Sequence, residues 1–204
     1  MERIYTLVLS IAEPDLRTLA STGCMVVVAK ATGSSAPNVA WLAAPGKPQT
    51  TIAWEERYGL YASETPLRCG AEIEVASAVY PAVDRHVYPY AAGGFGLPAY
   101  GMRVPHGHYD VRNDDRAAMT FGLLQRAWVD SRPVQSLLNA VVVPADFTAD
   151  FTTAPRLYVW TQRAVAACSV LPNIPPTAKT IEFDGAHRAR SCRYDGEATA
   201  FVEL

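Results

Sequence analysis

The chain has few charge clusters, few long apolar runs and no closely spaced cysteines, and each shortage removes a class of protein. Its 204 residues carry a net charge of −2 and no run of Lys or Arg, whereas a nucleic-acid binder would show a basic stripe. No nucleic-acid partner is expected. No apolar stretch approaches the ~18 residues that a membrane span requires. The apolar run at residues 4–12 is short, follows Glu2, precedes Glu13 and Asp15, and leads to no small-residue cleavage site. It predicts a first strand rather than a leader, and so a cytoplasmic protein. None of Asn38, Asn113, Asn139 and Asn173 begins an Asn-X-Ser/Thr acceptor, which agrees with that expectation.

The four cysteines (Cys24, Cys69, Cys168 and Cys192) form no CxxC pair and have no metal-ligand spacing. Cys168 and Cys192 flank one predicted strand and could meet, but without an export signal free thiols are expected. The common catalytic signatures GxSxG, GxxxxGK[ST] and HExxH do not occur. Gly94-Phe-Gly96-Leu-Pro-Ala99 fits GxGxxA only in its letters, because Pro98 and the preceding Tyr-Pro-Tyr do not form a strand-to-helix turn. The acidic pairs Glu55-Glu56 and Asp114-Asp115 are adjacent, so in a strand their side chains point to opposite faces and form no dyad.

What the chain does contain is β-strand material. Segments of four to ten residues rich in β-branched and aromatic side chains recur between Pro, Gly, Ser and Asn, and no long 3.6-residue stripe interrupts them. They lie at 4–11, 25–30, 39–43, 51–55, 58–62 and 72–79, then at 118–127, 140–143, 156–162, 180–183 and 199–203. Short helices are allowed at 14–21 and 133–138. This spacing predicts an all-β protein, an antiparallel β-sandwich.

The two halves resemble each other. Thr6-Leu-Val-Leu matches Thr120-Phe-Gly-Leu, and Val26 to Val28 matches Val141 to Val143. The strand around Trp41 matches that around Trp160, and Thr51-Ile-Ala-Trp matches Thr180-Ile-Glu-Phe. Four matches in one order predict a pseudo-symmetric internal duplication, with residues 1–63 and 118–204 as the halves and 64–117 as the connection. Trp41 and Trp160 would then mark the core.

The connection is the chemically rich part. Residues 79–115 hold five of the ten tyrosines and three of the four histidines, punctuated by glycine and proline. A Tyr ring offers a flat apolar face with one polar tip, and glycine lets a ligand approach the backbone, so the composition suits stacking on a sugar or another small polar or aromatic molecule. The expected ligand-binding residues are Tyr88, Tyr90, Phe95, Tyr100, Tyr109 and His86. His106-Gly-His108-Tyr-Asp110 is the sharpest local motif. If extended, it lines up His106, His108 and Asp110 on one face, a plausible set for one divalent metal ion, with His86 or Asp84 completing it. Pro105 and Gly107 argue for a turn that would scatter them.

The leading expectation is a lectin-like recognition module that binds a glycan or other small molecule without a cofactor. The alternatives are a metal-dependent enzyme using the His-x-His-x-Asp residues, and a self-associating protein whose tyrosine loops form a homo-oligomer interface.

Overall fold

The computed structural model describes residues 4–204. Its first strands are β1 (Ile4–Ser10), β2 (Cys24–Lys30), β3 (Leu42–Pro45), β4 (Gln49–Ser63) and β5 (Ser77–Val79). The middle of the chain supplies β6 (His86–Ala91), β7 (Gly94–Phe95), β8 (Ala99–Tyr100) and β9 (His108–Asn113). Then follow β10 (Met119–Val129), β11 (Arg132–Leu137), β12 (Val141–Val143), β13 (Thr148–Thr152) and β14 (Arg156–Arg163). The last are β15 (Lys179–Glu182), β16 (Ala189–Asp195) and β17 (Ala200–Glu203). One helix, α1 (Glu13–Thr22), stands among them, so the fold is all-β. No helix among the described residues is long and apolar enough to cross a membrane.

The helix fits its sequence. Pro14 occupies the first turn, where a missing N–H costs nothing, and Glu13 and Asp15 sit at the positive end of the dipole. Gly23 ends the helix at φ 67°, a left-handed conformation that favours glycine, and its N–H caps the carbonyls of Leu19 and Ala20.

Three sheets carry the strands. The largest has eight, in the order β11-β10-β4-β1-β16-β17, with β12 also on β10 and β5 also on β4. A second, of four, runs β15-β14-β2-β3. The third, of five, runs β13-β9-β6-β7 with β8 also on β6, and it is built mainly from the residues between the two expected halves. Two of the sheets are mixed, because β1 pairs with β16 and β6 with β9 in parallel, while the four-stranded sheet is antiparallel throughout. In the largest sheet β4 and β1 of the first expected half lie side by side between β11-β10 and β16-β17 of the second. The matched valine triplets fall in different sheets, on β2 and β12, and so do the matched Thr-Ile segments, on β4 and β15.

The main core joins side chains from all three sheets, with Leu7 and Phe121 from the largest, Val28 and Leu157 from the second and Tyr88 and Val111 from the third. At its centre Trp54 stacks on Tyr5 at 5.7 Å and meets Trp41 and Phe183 edge-on at 5.6 and 5.0 Å. Trp41 and Trp160 are both fully buried, as expected of core markers. Two local expectations change. The helix allowed at 133–138 is β11, paired antiparallel to β10. The segments at 51–55 and 58–62 are one strand, β4. All four cysteines are free; Cys168 Sγ lies 3.2 Å from Ser136 Oγ rather than against Cys192.

Candidate functional site

The five-stranded sheet sorts its residues by alternation, as a half-buried sheet should. On β6, Tyr88 and Tyr90 point inward, and on β9 so do Tyr109 and Val111. Tyr90 packs edge-on against Phe95 and Phe121 at 5.3 and 5.1 Å, and its buried hydroxyl has no hydrogen-bond partner among the described residues. Tyr88 donates its hydroxyl proton to Val83 O at 3.1 Å and accepts from Val83 N at 2.6 Å. Tyr109 meets Tyr58 of β4 at 6.3 Å. These three rings anchor the added sheet to the scaffold; they are closed to a ligand, because their faces already touch protein. Phe95 is half-buried beside them. Tyr100 alone of the expected tyrosines stands in solvent, with His86 edge-on at 5.8 Å and the Arg85 guanidinium over its ring at 5.2 Å.

The outward face of the same sheet carries the chemistry. His108 and Asp110 share that face of β9, as the two-residue period requires. His106 does not join them. Gly107 turns the backbone at φ 77°, and the His106 side chain, 90% exposed, leans toward Asp84, with Nε2 3.6 Å from its carboxylate. His86 is tied instead through Nδ1 to the Asp84 backbone carbonyl at 2.8 Å. Among the described residues no three His, Cys, Asp or Glu side chains are grouped to hold a metal ion.

A residue that sequence reasoning missed completes the cluster. On β13, Asp150 lies directly across from Asp110 and Thr152 across from His108. Both Asp150 oxygens are 2.9 Å from His108 Nδ1. The Asp110 carboxyl is pushed above the usual carboxylate range, first by burial and then by the negative charge of Asp150, with His108 pulling the other way. Two carboxylates facing each other across a strand pair disfavour joint ionisation, and the imidazole between strands offsets part of that cost.

Beside Asp150 a cleft of about 330 Å³ opens between residues 32–36 and β13. Residues 32–36 form a tight turn, with Ser35 N donating to Thr32 O at 3.3 Å and Gly33 at φ 58°. Gly33 also rides close on β13, where a Cβ would sit 3.1 Å from Thr152 Cγ2. Asn38 fixes the far end of the loop. Its amide donates to Ala140 O at 2.7 Å and accepts from Ala140 N at 3.1 Å. Asn139 is likewise occupied, accepting from Leu123 N at 2.8 Å. The hydroxyls of Thr32, Ser34 and Ser35 make no hydrogen bond among the described residues, and they line the cleft together with the Asp150 carboxylate and the exposed side chain of Val141. The arrangement offers three free hydroxyl donor-acceptors, one carboxylate acceptor and a small apolar wall.

No protein-family model matches this sequence, and no curated protein and no solved structure gives a match to it.

Proposed function

We propose that the protein is a recognition module of lectin-like character, and that its ligand is a sugar or another small polyhydroxylated molecule seated in the cleft beside Asp150. One observation carries this reading. A row of unpaired hydroxyls faces a carboxylate whose orientation is fixed by His108, next to an exposed apolar side chain. A sugar presents the complement: hydroxyls that donate to a carboxylate and accept from Ser and Thr, with C–H patches that rest on an apolar wall. The cleft volume lies within the range of small-ligand sites, which begins at about 300 Å³. The site thus moves from the tyrosine rings to the polar face of the sheet they anchor.

The test is a glycan array followed by titration calorimetry of the best ligand. Asp150→Asn keeps the size of the side chain and removes its charge, and it should weaken binding at least about tenfold, the equivalent of ~1.4 kcal/mol. Tyr100→Ala should leave binding unchanged. Binding that responds to Tyr100 but not to Asp150, or a blank array, would overturn the assignment of this cleft.

A further inference from the structure

Lys30 is one of three lysines in the chain, and it differs from the other two. Lys47 pairs with Asp130 at 2.6 Å and Lys179 with Glu203 at 3.5 Å, both at the surface. Lys30 ends β2 inside the core at 3% exposure, with no carboxylate ion-paired to it among the described residues. Its Nζ donates to Gln125 Oε1 at 2.9 Å and to Tyr58 Oη at 3.3 Å. An ammonium has three N–H donors, so one has no hydrogen-bond partner among the described residues. The faces of Trp41, Trp54 and Tyr58 lie 5.7, 5.4 and 5.1 Å from it.

A β-bulge builds this environment. Gln125 pairs with Tyr58 and Ala127 with Trp54, so residues 55–57 of β4 stand against Arg126 alone. Bulges of this kind re-aim side chains, and they are common next to active sites. Here the Gln125 amide donates to the bulged Glu55 carbonyl at 2.6 Å, which turns its own oxygen toward Lys30. A pocket of about 110 Å³ adjoins, lined by Lys30, Tyr5, Trp54, Tyr58, Glu56 and Phe183. Its buried wall is aromatic, and the exposed Glu56 and Pro155 with the half-buried Thr153 and Ala154 mark its mouth.

We propose that Lys30 is a nucleophilic amine that takes a small aldehyde or ketone, of roughly four non-hydrogen atoms at ~30 Å³ per water-sized group, as an iminium adduct in this pocket. The nitrogen lone pair forms a bond to the carbonyl carbon after the ammonium loses a proton. The carbon–oxygen bond then breaks, and the oxygen leaves as water with two hydrogens from nitrogen. One ammonium and one carbonyl therefore become one iminium and one water, with charge conserved and no oxidant or reductant. The three aromatic faces that hold the ammonium hold the iminium equally well. Tyr58, 3.3 Å from the nitrogen, is placed to donate its proton to the departing oxygen, and burial keeps that hydroxyl protonated. Burial also pulls the Lys30 amine down to about 7 against the charge of Glu56, so a large neutral fraction exists at neutral pH. This site is independent of the Asp150 cleft.

The experiment is reductive trapping with limiting propanal and cyanoborohydride at pH 7, read by peptide mass mapping. Lys30 should be propylated at least tenfold faster than Lys47 or Lys179, which act as internal references in the same molecule. Ala154→Phe, which fills the mouth, should slow Lys30 at least tenfold and leave Lys47 unchanged. Labelling of the surface lysines first, with Lys30 modified only in denaturant, would make it a purely structural tie. Lys30 labelling that ignores Ala154→Phe would remove the pocket as the route.

Discussion

The added five-stranded sheet and the interior around Lys30 place their polar groups in opposite ways. In the added sheet strict alternation sends Tyr88, Tyr90 and Tyr109 inward and leaves His108, Asp110 and Asp150 on the wet side. Charges there are screened, and their mutual energies are small. Around Lys30 the alternation fails at the bulge in β4, and an ammonium is enclosed by aromatic rings with only neutral hydrogen-bond partners. The same residue types thus produce an inexpensive, adjustable surface in one place and a costly, chemically sharpened group in the other. Regular pleating keeps chemistry out of the core; an interruption of the pleat lets it in.

That contrast can be attacked at both ends. The largest effect is expected at the rings that dock the added sheet. Tyr90→Ala should destabilise by about 3–5 kcal/mol in urea unfolding, as for other large aromatic deletions, whereas Tyr100→Ala should stay within about 0.5 kcal/mol. Because the Tyr90 hydroxyl has no partner among the described residues, Tyr90→Phe should cost nothing measurable. Equal losses at positions 90 and 100 would erase the distinction between the two faces.

A smaller, pH-dependent effect is expected at Lys30. Its folded pKa, about 7, lies below the unfolded value, so between those two values the unfolded chain binds more protons and stability rises with pH. Wild-type stability measured against Lys30→Met should therefore climb between pH 7 and 9, by on the order of 2 kcal/mol. The window stops short of the Cys192 thiol, which burial pushes up to about 11, and of the buried tyrosines, which titrate higher still. A flat difference would mean that the rings and Glu56 fully compensate the ammonium.

The smallest effect belongs to the carboxylate pair. The folded pKa of Asp110 is raised, so the native state holds its proton more tightly, and the stability this confers at low pH is lost as pH rises through that value. Asp110→Asn should then stabilise the protein at pH 7 and do nothing at pH 3. Its partial exposure limits the gain to a few tenths of a kcal/mol, about the size of other screened surface pairs. Thermal melts at both pH values would show it.

Much of the strand content was readable from alternation and turn residues, and the shared face of His108 and Asp110 followed from the two-residue period alone. Other features depended on partners distant in sequence. β4 reads as two strands because Glu55-Glu56-Arg57 breaks its apolar pattern, and only the pairing with β10 shows that a bulge absorbs the break. Asp150 lies forty residues beyond Asp110, and no local pattern announces that the two face each other (150 − 110 = 40). The tyrosines misled for a different reason: an aromatic-rich loop has the same composition whether its rings meet a ligand or the core. The spacing of Tyr88 and Tyr90, two apart and hence on one face, was the clue to their common inward direction. Lys30 had a signal as well, since a lone lysine closes the apolar run that begins at Met25. Its aromatic neighbours come from β4 and from the segment before β3, which no local pattern joins to it.

The position of β1 has a consequence for how the chain acquires its structure. The strand lies inside the largest sheet, antiparallel to β4 on one side and parallel to β16 on the other. Thr6 meets Ala189 and Ser10 meets Arg193. β1 must therefore wait for β16, which lies far along the chain, before its second edge is covered. Such distant pairing makes for slow folding, and an open strand edge invites pairing with other chains in the meantime. Until β16 has been made, β1 is a half-closed seam.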